Sequence, residues 1–312
     1  MQKLSLIVIV GPTASGKSAL AVRLARKFNG EIISADSRQV YRGLDIGTGK
    51  VSRREMRGVP HHLLDVADPR QPFSVVEFQQ LAQRAIRDIT GRGKIPILVG
   101  GTGFWIDAVA YGIELPRVPP NPRLRKQLSK KDPLQLLTLL QRLDPERART
   151  VEHQNPRRLI RAIEIAKALG RTPKVERRMP YRVLWLGLRP AAAALRRQIK
   201  KRAEQMVRTG ITGETKSLLR RGVTRERIRE FGFEYRAILD FLEKRISRRE
   251  LADAIAAGSR AYARRQMTWW KRNNSIRWVQ KPADAERQVR RFIPLEAERQ
   301  SRSPFRRGGV GL

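Results

Sequence analysis

Leu4-Ser5-Leu6-Ile7-Val8-Ile9-Val10 is a nearly unbroken apolar run that leads directly into Gly11-Pro12-Thr13-Ala14-Ser15-Gly16-Lys17-Ser18. A run without polar alternation reads as a parallel strand covered on both faces. The octapeptide satisfies G-x-x-x-x-G-K-[ST], with a strand before it and a helical pattern after it, the context that a phosphate-binding loop (P-loop) requires. Backbone N–H groups of such a loop and of the helix N-terminus converge on a diphosphate. Lys17 adds a point charge, and the Ser18 hydroxyl is placed to hold Mg²⁺. The loop therefore specifies polyphosphate binding and leaves open what the phosphates are attached to.

A second apolar run, Glu31-Ile32-Ile33-Ser34-Ala35, ends at Asp36, and a third, Ile95-Pro96-Ile97-Leu98-Val99, ends at Gly100-Gly101-Thr102-Gly103. Helical patterns over about 17–28 and 75–90 separate them, the alternation of an α/β fold with a parallel sheet flanked by helices. Pro116, Pro119, Pro120 and Pro122 mark a change of character. From there to about Gly170 the chain reads as short helices with Arg-rich faces, a smaller all-helical insertion over 116–180. Tyr181–Leu188 restores a strand, so 1–115 and 181–298 form the catalytic core. Leu195, Ile199, Ala203, Met206 and Val207 then share one helical face, and 248–272 is a further long helix. The composition of 299–312, Ser, Pro, Arg and Gly, predicts a disordered basic tail.

The chain of 312 residues carries 66 Lys and Arg against 29 Asp and Glu, a formal charge of +37 that a polyanion would relieve and that names nucleic acid as the obvious partner class. It has no cysteine, which excludes disulfides, thiolate zinc sites and a cysteine nucleophile. His61, His62 and His153 lack zinc-ligand spacing. The longest apolar run is too short to cross a bilayer, and a cytoplasmic monomer without membrane contact or obligate protein partner is expected.

Asp36 follows a strand and faces the crevice at the carboxyl ends of the sheet, where metal ligand and general base are equally open roles, with capping of the next segment as the bland alternative. The adjacent pair His61 and His62 points to opposite faces of a strand, so at most one reaches a site, and packing is the favoured role. Trp269 and Trp270, near a helix end, read as core in preference to base-stacking platforms.

The P-loop together with Ile33-Ser34-Ala35-Asp36-Ser37-Arg38-Gln39-Val40-Tyr41, Asp45-Ile46-Gly47-Thr48-Gly49-Lys50, Pro60-His61-His62-Leu63-Leu64-Asp65, Gly100-Gly101-Thr102-Gly103, Arg157–Glu164 and Arg260–Trp270 resembles the tRNA dimethylallyltransferase family of bacterial type, from about Leu6 to Trp278. The resemblance implies that Gly11, Pro12, Thr13, Ala14, Ser15, Gly16, Lys17 and Ser18 hold dimethylallyl diphosphate with Mg²⁺ on Ser18. It implies that Asp36 takes the proton from the exocyclic amine of an adenosine 3′ of the anticodon. It places contacts to the tRNA anticodon stem-loop on Asp36, Ser37, Arg38, Gln39, Thr102, Arg125, Arg157, Arg158, Leu159, Ile160 and Arg161. Phe104-Trp105 and Phe233 depart from the family pattern, which puts in doubt a hydroxyl role at Trp105 and Phe233.

Two other enzyme readings compete: a small-molecule kinase, which leaves the basic insertion and the charge of +37 unused, and prenylation of free adenine nucleotides, against which the basic insertion also argues. An RNA-binding GTPase-like switch lacks its Asn-Lys-x-Asp element. An electrostatic grip with ~6 phosphate contacts predicts that tRNA affinity falls on the order of a thousandfold between 50 and 200 mM salt, measured by filter binding. A flat salt response contradicts the grip, and deletion of residues 299–312 is expected to leave most of the affinity in place.

Overall fold

In a computed structural model of the chain, residues 3–174 and 176–293 are described; the expected basic tail over 299–312 lies outside the described residues. Six strands, β1 (Leu4–Val10), β2 (Gly30–Ala35), β3 (His61–His62), β4 (Ile95–Gly100), β5 (Tyr181–Leu188) and β6 (Arg277–Val279), form one sheet in the order β3-β2-β4-β1-β5-β6. Every neighbouring pair is parallel. This is the α/β architecture expected from the three strand-like runs. β1 lies between β4 and β5, paired with β5 over Leu4–Val10 and with β4 over Ile7–Ile9, and apolar clusters cover both of its faces.

The pleat divides β1 between two cores. Leu6, Val8 and Val10 pack on the side of the helices Val75–Gly91 and Gly103–Ala110, with Phe78, Ile86 and Ile106. Ile7 and Ile9 pack on the other side, with Leu20, Leu24 and Val289 of the helices Lys17–Lys27 and Pro282–Phe292. All five strand residues are fully buried, each stabilising the fold by roughly 1.5–3 kcal/mol relative to exposure. A third core joins Ile199, Ala203 and Met206 of the helix Ala192–Thr209 to Leu251 and Ile255 of the helix Arg248–Trp270. Trp270 is buried in the first core and Trp269 donates its indole N–H to Asp107 Oδ2 at 3.0 Å, so both tryptophans serve packing. Trp105 does too, stacked on Phe78 at 4.4 Å between ring centroids.

The described residues divide into two compact units, one within 3–112 and 179–293 and a smaller one within 113–178. In the smaller unit Ile113 bridges Arg177 in antiparallel fashion, and the helices Pro122–Leu128, Pro133–Leu143, Pro145–Thr150 and Pro156–Leu169 follow. Each begins the same way: Asn121, Asp132, Asp144 or Asn155 accepts a hydrogen bond from a backbone N–H in the first turn, and proline occupies the first helical position. Proline there is pre-set in φ and lacks only an N–H that the helix leaves orphaned. Among the described residues, no helix is long and apolar enough to cross a membrane.

At the amino end of β2, the Glu31 carboxylate is 1% exposed and accepts from Arg92 at 2.5 and 2.9 Å, Lys94 at 2.7 Å and His62 Nε2 at 2.7 Å. These hydrogen bonds, that from Arg92 foremost, hold the carboxyl far below the usual glutamate range. They tie β2 to β3, to the start of β4 and to the turn after the helix Val75–Gly91. A carboxyl depressed in the folded state stabilises the fold above its ordinary value of 4.5 and loses that contribution as pH falls below it. Glu31→Gln is therefore expected to lower stability by roughly 1–3 kcal/mol at pH 7, and the gap from the parent is expected to narrow in urea titrations below pH 4.5; a gap independent of pH contradicts this.

Candidate active site

The site is built at the carboxyl ends of β1, β2 and β4. After β1, Gly11 adopts φ 142°, and a Cβ there would sit 2.6 Å from Leu188 O. No other residue fits this first turn of the loop. The loop closes on the helix Lys17–Lys27, and Thr13 N–H donates to Gln266 Oε1 at 2.7 Å. Lys17 Nζ donates to Pro12 O at 2.6 Å. Burial, with Arg202 nearby, pushes the Lys17 ammonium down to about 7, against an opposing pull from Asp36. Among the described residues, Ser15 Oγ is buried with no hydrogen-bond partner, a donor that a phosphate oxygen would satisfy.

Lys17, Ser18, Asp36, Gln39, Arg202 and Tyr262 line one cavity together with Thr13. Asp36 sits one residue past β2, with its Oδ1 accepting from Arg38 N–H at 2.9 Å. The Arg38 guanidinium lies over the adjoining rings of Phe233 and Tyr262, 5.7 and 5.5 Å from their centroids, and is paired with the buried carboxylate of Glu234. Phe233 thus takes part through its ring face. Ser37 N–H donates to Thr102 Oγ1 at 3.0 Å, which locks the segment after β2 to the segment after β4. Gln39 spans Ser34 Oγ at 3.2 Å and the carbonyl of Thr48 at 3.4 Å. Opposite them, the helix Arg248–Trp270 sends Gln266 Nε2 and Tyr262 Oη to Gly101 O at 3.0 and 3.3 Å.

His61 reaches this cavity and His62 does not, as adjacent strand positions require. His61 Nδ1 lies 2.8 Å from Val59 O, an acceptor, so Nδ1 carries the proton; burial lowers the ring's pKa and keeps it neutral. Tyr262 and Gln266 lie within the family-like segment 260–270, but sequence reasoning assigns no individual role to either, nor to Arg202 and Glu234. Their common trait, a polar residue on the buried face of an amphipathic helix, is one that a helical projection flags.

The other sequence-derived residues belong to the smaller unit. Arg157 and Arg158 are exposed at the start of the helix Pro156–Leu169, Arg158 paired with Glu152 at 3.0 Å. Arg125 and Arg161 both converge on the buried Glu164, at 2.8 and 3.3 Å. Arg161 also donates to Val118 O at 2.9 Å. Leu159 is fully buried in the unit's own core and Ile160 packs against it, so the Leu159 side chain is withheld from any RNA.

Residues 39–273 match the family model described as IPP transferase, and residues 4–71 one described as isopentenyl transferase. The tRNA dimethylallyltransferase of Thermomicrobium roseum is 43% identical over 279 residues, 87% of this chain and 85% of its own. That of Anoxybacillus flavithermus is 38% identical over 295 residues, 92% and 94% of the two chains. Among solved structures, the full-length tRNA isopentenylpyrophosphate transferase of Bacillus halodurans superposes with a TM-score of 0.70 at 37% identity, covering 96% of this chain and 98% of that one. A eukaryotic dimethylallyltransferase acting on tRNA superposes with a TM-score of 0.75 at 25% identity, covering 98% of this chain and 81% of its own. With a strand-anchored phosphate loop, a carboxylate beside it and these relatives over nearly the whole chain, the protein belongs to the IPP transferase family.

Proposed function

We propose that the protein transfers the dimethylallyl group of dimethylallyl diphosphate to the exocyclic amine of the adenosine 3′ of the anticodon in tRNA, releasing diphosphate. The observation that carries this reading is the single cavity in which the phosphate loop, Asp36, Gln39 and Arg202 meet, in a chain of this family. Loop N–H groups, Lys17 and Arg202 receive the diphosphate and stabilise the charge that builds on it as its bond to the allylic carbon breaks. The acceptor is an aryl amine of low basicity, so holding it in line with that carbon contributes more than its nucleophilicity. Asp36 Oδ2 accepts the proton the amine loses, while Oδ1 is held by Arg38 N–H. Gln39 is the reader of the adenine edge, and the base leaves its stack in the anticodon loop to enter. Exposed Arg157 and Arg158 grip flanking phosphates, with Arg125 and Arg161 acting through the helix ends that Glu164 joins.

The Ser18 hydroxyl, lining the cavity, is a hard oxygen donor of the kind Mg²⁺ takes together with substrate phosphates. When bound, Mg²⁺ supplies further charge neutralisation at the leaving diphosphate.

Incubation with tRNA and dimethylallyl diphosphate, followed by nucleoside mass spectrometry, is expected to yield isopentenyladenosine; its absence removes the proposal. Asp36→Asn keeps the shape and removes proton acceptance, so single-turnover rates are expected to fall by roughly 10²- to 10⁴-fold with little change in the affinity of either substrate. Recovery of near-parental rate at high Mg²⁺ would instead assign Asp36 to the metal.

The phosphate groups favour the charged form of Lys17, whose free-state value of about 7 lies far below that of an exposed lysine. Above pH 7 binding must take up a proton, so affinity for dimethylallyl diphosphate is expected to fall as pH rises to 9, approaching about tenfold per unit. Calorimetry in buffers of different ionisation enthalpy detects that uptake at pH 8, and equal heats in all buffers would contradict it.

A further inference from the structure

The loop Asp45-Ile46-Gly47-Thr48-Gly49-Lys50 touches the cavity through Thr48 and Gly49. Three consecutive backbone N–H groups, those of Asp45, Ile46 and Gly47, donate to the carboxylate of Glu214 at 2.8, 2.6 and 3.0 Å. Glu214 lies on the helix Ile211–Arg220. Its Oε1 also accepts from Tyr235 Oη at 2.9 Å. Burial and the adjacent carboxylate push the Tyr235 phenol well above its usual range, so it stays a donor. Charge-assisted hydrogen bonds to one carboxylate are the stronger kind, and the three from the loop leave it little freedom.

The far side of this loop meets Arg202. Arg202 Nη2 donates to Thr48 O at 3.0 Å. Gly49, at φ 58°, lies so close that a Cβ there would collide with the guanidinium, and a Cβ on Gly47 would meet the Tyr235 ring at 2.6 Å. Glycine at both positions is what lets a ring pack on one side of the loop and a guanidinium on the other. Lys50 Nζ, 6% exposed, closes the loop's end onto Asp45 and Asp65 at 2.6 and 2.5 Å and onto Tyr41 O at 3.0 Å. Arg202 itself is nearly buried beside Lys17, and both cations are pushed below their usual ranges by burial. A buried guanidinium that repels its neighbour stays in place only where something fixes it.

We infer that Glu214 is a positioning residue: through the 45–49 loop it holds the Arg202 guanidinium toward the phosphate loop and so sets affinity for the diphosphate group. This rests on the functional reading for the identity of the substrate, but the brace itself requires only that a diphosphate bind.

The test measures binding of inorganic diphosphate and of dimethylallyl diphosphate by calorimetry, alongside KM for both substrates. Glu214→Ala is expected to weaken both diphosphates about tenfold, with KM for tRNA within twofold, and Tyr235→Phe to shift the same way by less. In an Arg202→Ala background, Glu214→Ala should add less than twofold, because the group it positions is gone. Diphosphate affinity unchanged in Glu214→Ala, or a full additional tenfold loss in the double variant, overturns the inference. Should Glu214→Ala fail to fold, Gly49→Ala serves, since it leaves Glu214 in place and displaces the Arg202 tip; the same weakening supports the brace and parental affinity overturns it. A parent that binds diphosphate but modifies no tRNA would remove the functional reading and leave this test intact.

Discussion

Three cations, Lys17, Arg38 and Arg202, are gathered at the carboxyl end of one sheet with less counter-charge than they require, and much of the surrounding structure serves that constraint. Arg38 is matched by Glu234, with Asp36 Oδ1 at 4.0 Å, and lies over two adjoining aromatic rings. Lys17 and Arg202 are not matched in this way. Burial disfavours the charge on each; Arg202 lowers Lys17 further and Arg38 lowers Arg202, against pulls from Asp36 and Glu234. An arrangement of this kind costs stability in the free protein and recovers it when a multiply charged anion enters. It is preorganised for a diphosphate, because the donors are already desolvated and aimed before the ligand arrives.

Rigid surroundings make such a cluster tolerable. The central strand β1 has partners on both sides and apolar cover on both faces, so the loop that leaves it starts from a strand held on every side. Gln266 then ties Thr13 to Gly101 O, linking the phosphate loop to the end of β4 across the long helix Arg248–Trp270. Thr102 ties the end of β4 to the segment after β2. The Glu214 brace adds the remaining side. Each connection is a side chain meeting a backbone group that a loop leaves unsatisfied, which fixes position as well as supplying a hydrogen bond.

The basic character divides along similar lines. In the smaller unit some arginines are structural: Arg125 and Arg161 converge on Glu164, a buried carboxylate that would be costly to leave unpaired. Arg157 and Arg158 stay exposed at a helix start. A motif of three arginines and three branched aliphatics in eight residues looked uniform in sequence, and the 3.6-residue period sorted it, sending Leu159 inward.

Read alone, the chain determined the strand, loop and helix that cradle phosphate, the parallel sheet and the carboxylate after its second strand. Those features are local: a β-rich run, glycines at turn positions and a helical period act over a few residues and need no partner to be recognised. The helical insertion was visible in its prolines, although the repeated Asn/Asp-Pro starts at 121–122, 132–133, 144–145 and 155–156 carried sharper boundaries than were drawn from them. Tertiary structure decided the other half of the cavity. Gln266 meets Thr13 across 253 positions, and Arg202 meets Thr48 across 154. Amphipathic periodicity says which face of a helix turns inward, but which loop a polar residue on that face meets depends on how helices dock on a finished sheet, and no spacing along the chain encodes that.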